Sequence, residues 1–230
     1  MLCRTLVPMQ DLLSNLPLFN GLEEDELERI RLEVAQMDVP RGTVLYRPGD
    51  PCSGIHVVVS GHVKVALGTA AGAEKVVELA GPGQTLGETA VFLDRPHKTS
   101  AEAVSDSCLL HLAKERVFSA LQNHPRFAQR IIASLSHRLD RFISDLESLT
   151  LHSGTERVVA YLLSRLEDGE RRPHVGVTLP ASKGVIASRL NLTQEHFSRI
   201  LHDLAAINLI RVDGRYITIP DVAQLQARTA

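Results

Sequence analysis

Between Ala128 and Leu149, seven apolar residues recur in alternating steps of four and three: Ala128, Ile132, Leu135, Leu139, Phe142, Leu146 and Leu149. A 3.5-residue repeat held over three heptads is the pattern of a left-handed two-helix seam. Such a narrow stripe predicts a rod-like helix that meets a second copy of itself, so the chain is expected to form a homodimer. The alternative is a helix packed only on its own domain. Arg130, His137, Arg138, Asp140, Arg141 and Asp145 fall off the seam. Ile131 and Ile143 add an apolar flank that is expected to face the N-terminal part of the chain.

On either side of this rod the periodicity differs. Asp11 to Met37 reads as helical, with Leu18, Phe19, Leu22, Leu27, Ile30 and Val34 at three- and four-residue steps, and Pro40-Arg41-Gly42 ends the pattern. From there to Leu112 the period is close to two. Thr43–Tyr46, Ile55–Val59, His62–Leu67 and Lys75–Leu79 read as short β-branched strands. Nine of the 15 glycines fall between Gly42 and Gly87. Ser60-Gly61 and Ala71-Gly72 carry hairpin signals. Short strands at this spacing predict an antiparallel jelly roll. Helical character resumes at Ala113, and Ser153-Gly154-Thr155 breaks it in what reads as a hinge. The expected organisation is α+β: a β-roll domain with an N-terminal helix over 1–112, a dimerisation helix over 113–152 and a third domain over 153–230.

The third domain is the most informative. Glu156–Leu166 reads as a helix, and Asp168-Gly169-Glu170-Arg171-Arg172-Pro173 as a loop. Ala181–Leu190 and Gln194–Ala205 read as two helices joined by Asn191-Leu192-Thr193, with Thr193 as N-cap of the second. Asn191 stands where such a turn needs a left-handed residue. Ile186, Leu190, Leu192, Phe197, Ile200, Leu201 and Leu204 supply the inner face. Asp213-Gly214, central to Ile210–Ile219, is a hairpin turn. Two helices and a hairpin make a winged helix-turn-helix.

Gln194, Glu195, Ser198 and Arg199 share the outward face of the second helix. Arginine can pair with guanine O6 and N7, and glutamate can accept from cytosine N4, so these four are the candidate base readers. Thr193, Lys183, Arg189, Arg211 and Arg215 are candidate phosphate contacts. A solvated helix face with an internal Glu195–Arg199 pair is the plainer alternative. Double-stranded DNA is the expected partner; the charge distribution, mildly basic behind an acidic body, suggests a partner for this domain but does not by itself point to nucleic acid. From His152 onward there are ten basic against eight acidic residues, leaving 15 against 19 before it.

The remaining composition excludes other classes. With 44% hydrophobic and 23% charged residues, the chain is neither disordered nor membrane-embedded. No apolar run reaches the roughly 18 residues of a membrane span. Met1–Gln10 is too short and interrupted for a signal peptide. Cys3, Cys52 and Cys108 are odd in number and scattered, as expected in a reducing cytoplasm. Aromatics are 4%, with no tryptophan, against a stacking platform for single strands. An enzyme would need clustered histidine and carboxylate ligands, or a nucleophile beside a base, and neither is evident. No His-x-His pair marks a cupin-type metal site, and the metal-binding residues, if any, stay unassigned.

Leu192-Thr193-Gln194-Glu195-His196-Phe197-Ser198-Arg199-Ile200-Leu201 and Gly83-Gln84-Thr85-Leu86-Gly87-Glu88 resemble the Crp/Fnr family of bacterial transcription regulators. The resemblance spans essentially the whole chain, with a cyclic-nucleotide-binding-like roll, dimer helix and winged helix. Glu195, Ser198 and Arg199 look like the Fnr branch, since the cyclic AMP receptor branch has glycine at the position of Ser198. The resemblance implies a palindromic operator with TTG and CAA half-sites about one helical turn apart. It also implies RNA polymerase as a partner if the chain activates.

For the effector, the resemblance leaves several readings open. Gly87-Glu88 is similar to the phosphate cassette of cyclic-nucleotide domains, where glutamate holds the ribose and an arginine ten residues on holds the phosphate. Lys98 stands at that arginine position, followed by Thr99, and lysine lacks the bidentate fork. Phe142 and Ile143 replace the pair that would hydrogen-bond adenine. An iron–sulfur cluster of the Fnr type needs closely spaced N-terminal cysteines, and only Cys3 lies there. The whole pattern looks most like the nitric-oxide-responsive Dnr and Nnr branch, with heme as the suspected sensor. His56, His62, His97, His111 and His137 are its candidate ligands. The effector pocket is therefore expected at Gly87, Glu88, Lys98, Thr99, Phe142 and Ile143. Its ligand is a gas through heme, a cyclic nucleotide or another small molecule. A last alternative is an effector-binding module whose C-terminal domain contacts protein instead of DNA.

Overall fold

The computed structural model describes residues 9–68, 74–166 and 174–228. Cys3, the Ala71-Gly72 turn and the loop over 168–173 lie outside the described residues. The chain divides into two compact units, Met1–Asp140 and Arg141–Ala230.

Two short helices, α1 (Met9–Ser14) and α2 (Glu24–Arg31), open the first unit. Acidic Glu24, Asp25 and Glu26 occupy the first turn of α2, and Arg29 and Arg31 the last, matching the helix dipole. The helical reading to Met37 is corrected here: Val34–Val39 is strand β1, paired antiparallel with β8 (Ser107–Ala113). Its partner strand decides this, because the apolar spacing alone fits both periods. Strands β2 (Val44–Tyr46), β3 (Gly54–Ser60), β4 (Val63–Gly68) and β5 (Glu74–Ala80) match the expected runs. Strands β6 (Thr85–Leu86) and β7 (Ser100–Ala103), with helix α3 (Glu88–Phe92) between them, complete the roll.

The strands form two four-stranded antiparallel sheets, ordered β1-β8-β3-β6 and β2-β7-β4-β5. Ser60-Gly61 therefore is not a hairpin between paired strands. It carries the chain from one sheet to the other, with Gly61 at φ 80°. Val39, Tyr46, Val58, Val63, Ala101 and Leu109 belong to one core cluster of the roll. A second core packs Leu13, Phe19, Ile30, Ile55, Leu110, Val117, Phe127 and Ile131 together.

The helical stretch after Ala113 is two helices, α4 (Lys114–Asn123) and α5 (Pro125–Leu151). His124 takes an extended conformation between them, and Pro125 cannot continue α4 but opens α5. Helix α5 buries Phe127 and Ile131 and leaves the predicted seam bare: Ile132, Leu135, Leu139, Phe142, Leu146 and Leu149 are exposed, and Ala128 is half-buried. Ile143 is 59% exposed.

In the second unit, α6 (Gly154–Leu163) starts in a capping box, Ser153 Oγ accepting from Glu156 N and Glu156 Oε2 from Ser153 N. Strand β9 (Val175–Thr178), helices α7 (Lys183–Arg189) and α8 (Gln194–Ala206), strands β10 (Arg211–Asp213) and β11 (Tyr216–Ile219), and helix α9 (Val222–Gln226) follow. The wing is a three-stranded antiparallel sheet in the order β10-β11-β9, of which β9 had no clear sequence signal. Among the described residues, no helix is long and apolar enough to cross a membrane.

Candidate nucleic-acid interface and sensor site

Helix α8 is held from below and open above. Phe197, Ile200, Leu201 and Leu204 are buried, as are Ile186 and Ala187 of α7. Thr193 Oγ1 accepts from His196 N at 3.1 Å and caps the helix. Asn191 takes φ 55°, which lets the chain turn between α7 and α8. The opposite face presents Gln194, Glu195, Ser198 and Arg199, all exposed. No ion pair joins Glu195 to Arg199 among the described residues, so both side chains are available to a partner. The amide of Gln194 lies against α7, since a Cβ on Gly184 would come 2.7 Å from its Oε1.

The cationic candidates divide. Arg211 and Arg215 are exposed on the β10–β11 hairpin, and Lys183 is half-buried in the first turn of α7. The two-residue hairpin turn is Gly214-Arg215, one position beyond the expected Asp213-Gly214, because Asp213 ends β10 and pairs with Tyr216; Gly214 takes φ 59° at its first central position, with open space around it. Arg189 does not project freely: its Nη2 donates to Asp145 Oδ2 of α5 at 2.5 Å.

In the first unit, Gly87 adopts φ 95°, and a Cβ there would come 2.7 Å from the Gly54 carbonyl oxygen. This turn directs Glu88 inward, where it is 1% exposed. Its carboxylate accepts from Thr85 Oγ1 and, at 3.0 Å, from Arg138 Nη1. Arg138 also donates to the Thr85 carbonyl, and its Nε lies 3.5 Å from Glu78 Oε1. Burial works against the charge of Arg138, but Glu88 and Glu78 outweigh it and hold its pKa above the usual range. Tyr46 hydrogen-bonds Thr99 and stacks on His97 at 3.7 Å between ring centroids. Burial and the Glu88 charge push the Tyr46 phenol upward.

Arg138, Glu78, Thr85 and Tyr46 are thus the residues of this buried cluster that sequence reasoning did not single out. The available signal was periodic: Phe127, Ile131, Ser134 and Arg138 continue one inward stripe, on which a charge needs a buried counterpart. Of the expected pocket residues, Gly87, Glu88 and Thr99 lie near this cluster. Lys98 is exposed, and Phe142 and Ile143 are 44% and 59% exposed.

This environment does not fit heme. A porphyrin needs an apolar bed, and the inner face of α5 at this level presents instead a buried network of charges. His137 is exposed, His62 half-buried, and His97 is engaged with Tyr46. His56 and His111 sit opposite each other on β3 and β8 with ring centroids 4.6 Å apart, and neither Nδ1 finds a hydrogen-bond partner among the described residues. Among the described residues, no three histidine, cysteine or acidic side chains group as metal ligands.

The histidine pair has a consequence for stability. Burial, then the charges of His111 and His97, push His56 down to about 4. An unfolded histidine takes its proton near pH 6.5. Between these values the unfolded chain binds more protons, so stability falls as pH falls from about 6.5 to about 4. The loss should reach roughly 3 kcal/mol at the lower end. His111 is shifted in the same direction. Urea unfolding of His56→Phe across this range should show a clearly shallower pH dependence than the wild type.

Residues 36–124 match the cyclic nucleotide-binding domain family, and 156–228 match the Crp-like helix-turn-helix family. The cyclic AMP receptor protein of Thermus thermophilus is 27% identical over 91% of this chain and 95% of its own. The crystal structure of DNR from Pseudomonas aeruginosa is 31% identical, with a TM-score of 0.50 over 95% of this chain and 96% of that one. FixK2 from Bradyrhizobium japonicum shares the fold at a TM-score of 0.74 and 23% identity, over 86% of this chain and 98% of that one. The chain belongs to the Crp/Fnr family: it is a Crp-like transcription regulator and not an enzyme.

Proposed function

We propose that the chain is a one-component regulator that binds a palindromic TTG…CAA-type operator as a homodimer, in the bacterial cytoplasm, under control of a small effector. The observation that carries this reading is helix α8: one face wholly buried, the other presenting an exposed glutamate, serine and arginine from a capped N-terminus. Both donors and acceptors on that face suit base edges better than phosphates alone. The exposed stripe of α5 supports the dimer, because a contiguous apolar surface of this kind calls for a partner. RNA polymerase enters as a partner only if the protein activates.

Titration of a duplex carrying the two half-sites, followed by fluorescence anisotropy at rising salt, tests the reading. Specific binding that weakens steeply with salt is expected. Salt-independent binding, or none, would support the rival in which the C-terminal domain contacts protein. Leu139 is 61% exposed in the single chain, so Leu139→Asp should leave the protomer folded. Sedimentation of this variant should find single chains, with operator affinity lost together with the dimer.

The effector reading that best suits the sensor cluster is a hydroxylated organic ligand competing for Glu88. Cyclic nucleotides are its first candidates, given the matched domain family. Because Arg138 stands on the seam-bearing helix, a ligand that takes the Glu88 hydrogen bonds would loosen that helix from the roll and shift the dimer between arrangements. Nitric oxide through heme, the Dnr-like reading, lacks the apolar bed and is set second. A thermal-shift screen with cyclic nucleotides and an absorption spectrum after heme supplementation, with and without nitric oxide, separate the two. A raised melting temperature favours the first, and a Soret band that moves with the gas favours the second.

A further inference from the structure

Contacts within the second unit hold the helix-turn-helix to the end of α5. Arg189, the last residue of α7, pairs with Asp145 at 2.5 Å, and both side chains are partly buried. Arg157 of α6 donates from Nε to the Leu190 carbonyl at 3.0 Å and from Nη1 to the His152 carbonyl at 2.7 Å. Gly154 packs so closely that a Cβ would lie 3.1 Å from Leu192 and 3.3 Å from His196. Asp145 and His152 are seven residues apart, two turns along one side of the helical path. That side runs beside Phe142, Leu146 and Leu149 of the seam. The ties reach Arg189 and Leu190, where α7 ends and the turn into the recognition helix begins.

We propose that Asp145 and Arg189 are positioning residues for operator reading: they latch the recognition helix to the seam-bearing end of α5, and Arg189 is not a phosphate ligand. The proposal rests on the DNA-binding dimer reading above. Two protomers joined along the seam read half-sites at a fixed separation only if each recognition helix is fixed to its own rod. Arg157 alone ties main-chain carbonyls, which any sequence supplies. The Asp145–Arg189 pair supplies a link between two side chains and, unlike a phosphate contact, is satisfied without DNA. A latched pair of recognition helices discriminates half-site spacing, and an unlatched pair does so less while keeping its base preference.

The test uses the full chain and two duplexes, one with the two half-sites at the preferred spacing and one with a single base pair inserted between them. Affinities are measured for the wild type, Asp145→Asn, Arg189→Asp and the swap that carries Asp145→Arg with Arg189→Asp. Each single variant should lose about fivefold of the wild-type spacing discrimination, the scale of an ion pair worth roughly 1 kcal/mol. The salt slope and the half-site base preference should stay as in the wild type, and the swap should restore discrimination. Thermal melts of the same variants should show small shifts only, because the pair is partly exposed. Tighter operator binding by Asp145→Asn, with a shallower salt slope in Arg189→Asp, would make Arg189 a phosphate ligand and overturn the latch. Unchanged discrimination in both single variants, or no recovery in the swap, would overturn it too. A wild-type chain that binds neither duplex removes the DNA-reading dimer itself, and the latch with it.

Discussion

Replacing Arg138 by leucine should lower the stability of the first unit by roughly 3–5 kcal/mol, the cost of stranding a buried charge. Arg138 is 14% exposed at its side chain, and its principal partner, Glu88, is 1% exposed. The substitution leaves that carboxylate without its cationic partner and strips the Thr85 carbonyl of a donor. In a unit of this size the loss should lower the melting temperature by roughly 10 °C. The double change Arg138→Leu with Glu88→Gln should recover much of it, because removing both charges costs far less than removing one. Differential scanning calorimetry of the wild type, the single and the double variant checks the prediction. A single variant that melts with the wild type would mean that the charge network contributes nothing to holding α5 on the roll.

Arg199→Ala should cost roughly 1–3 kcal/mol of operator binding, about five- to 150-fold, and relax the preference for guanine in TTG. Arg199 is exposed and makes no ion pair among the described residues, so its removal leaves α8 capped by Thr193 and buried through Phe197, Ile200 and Leu201. The loss should therefore appear in binding and not in folding. Arg215, exposed on the hairpin, offers the contrast. Arg215→Ala should weaken all sequences alike and reduce the salt slope by about one. Anisotropy titrations of both variants on matched and mutated half-sites, at several salt concentrations, separate base reading from phosphate attraction. Equal affinity and unchanged guanine preference in Arg199→Ala would remove α8 as the reading helix.

Local pattern made much of this molecule legible. The heptad stripe gave α5 and its exposed seam, since a 3.5-residue repeat has meaning only on a helix. Thr193 and Asn191 marked the cap and the turn of the helix-turn-helix through their own backbone and side-chain preferences, Asp213-Gly214 located the wing hairpin one residue early, and the outward face of α8 followed from helical spacing. Strands without a private signature were less legible: β1 carries apolar spacing that fits a helix, and β7, β8 and β9 become strands through their partners. Ser60-Gly61 illustrates the same limit, because a tight turn does not say whether the next strand pairs with the last or crosses to another sheet.

The sequence by itself thus determined the rod, the two helices of the helix-turn-helix and the alternation of helical and strand segments, all of which depend on neighbours within a few residues. Only the tertiary structure decided the ionic partners. Arg138 meets Glu88 and Glu78 across 50 and 60 positions of chain, and Arg189 meets Asp145 across 44. Charge attraction has no period to be read along the chain. Which of many possible opposite charges becomes a partner is set by burial and by the path of the backbone, and those exist only once the sheets and helices have packed.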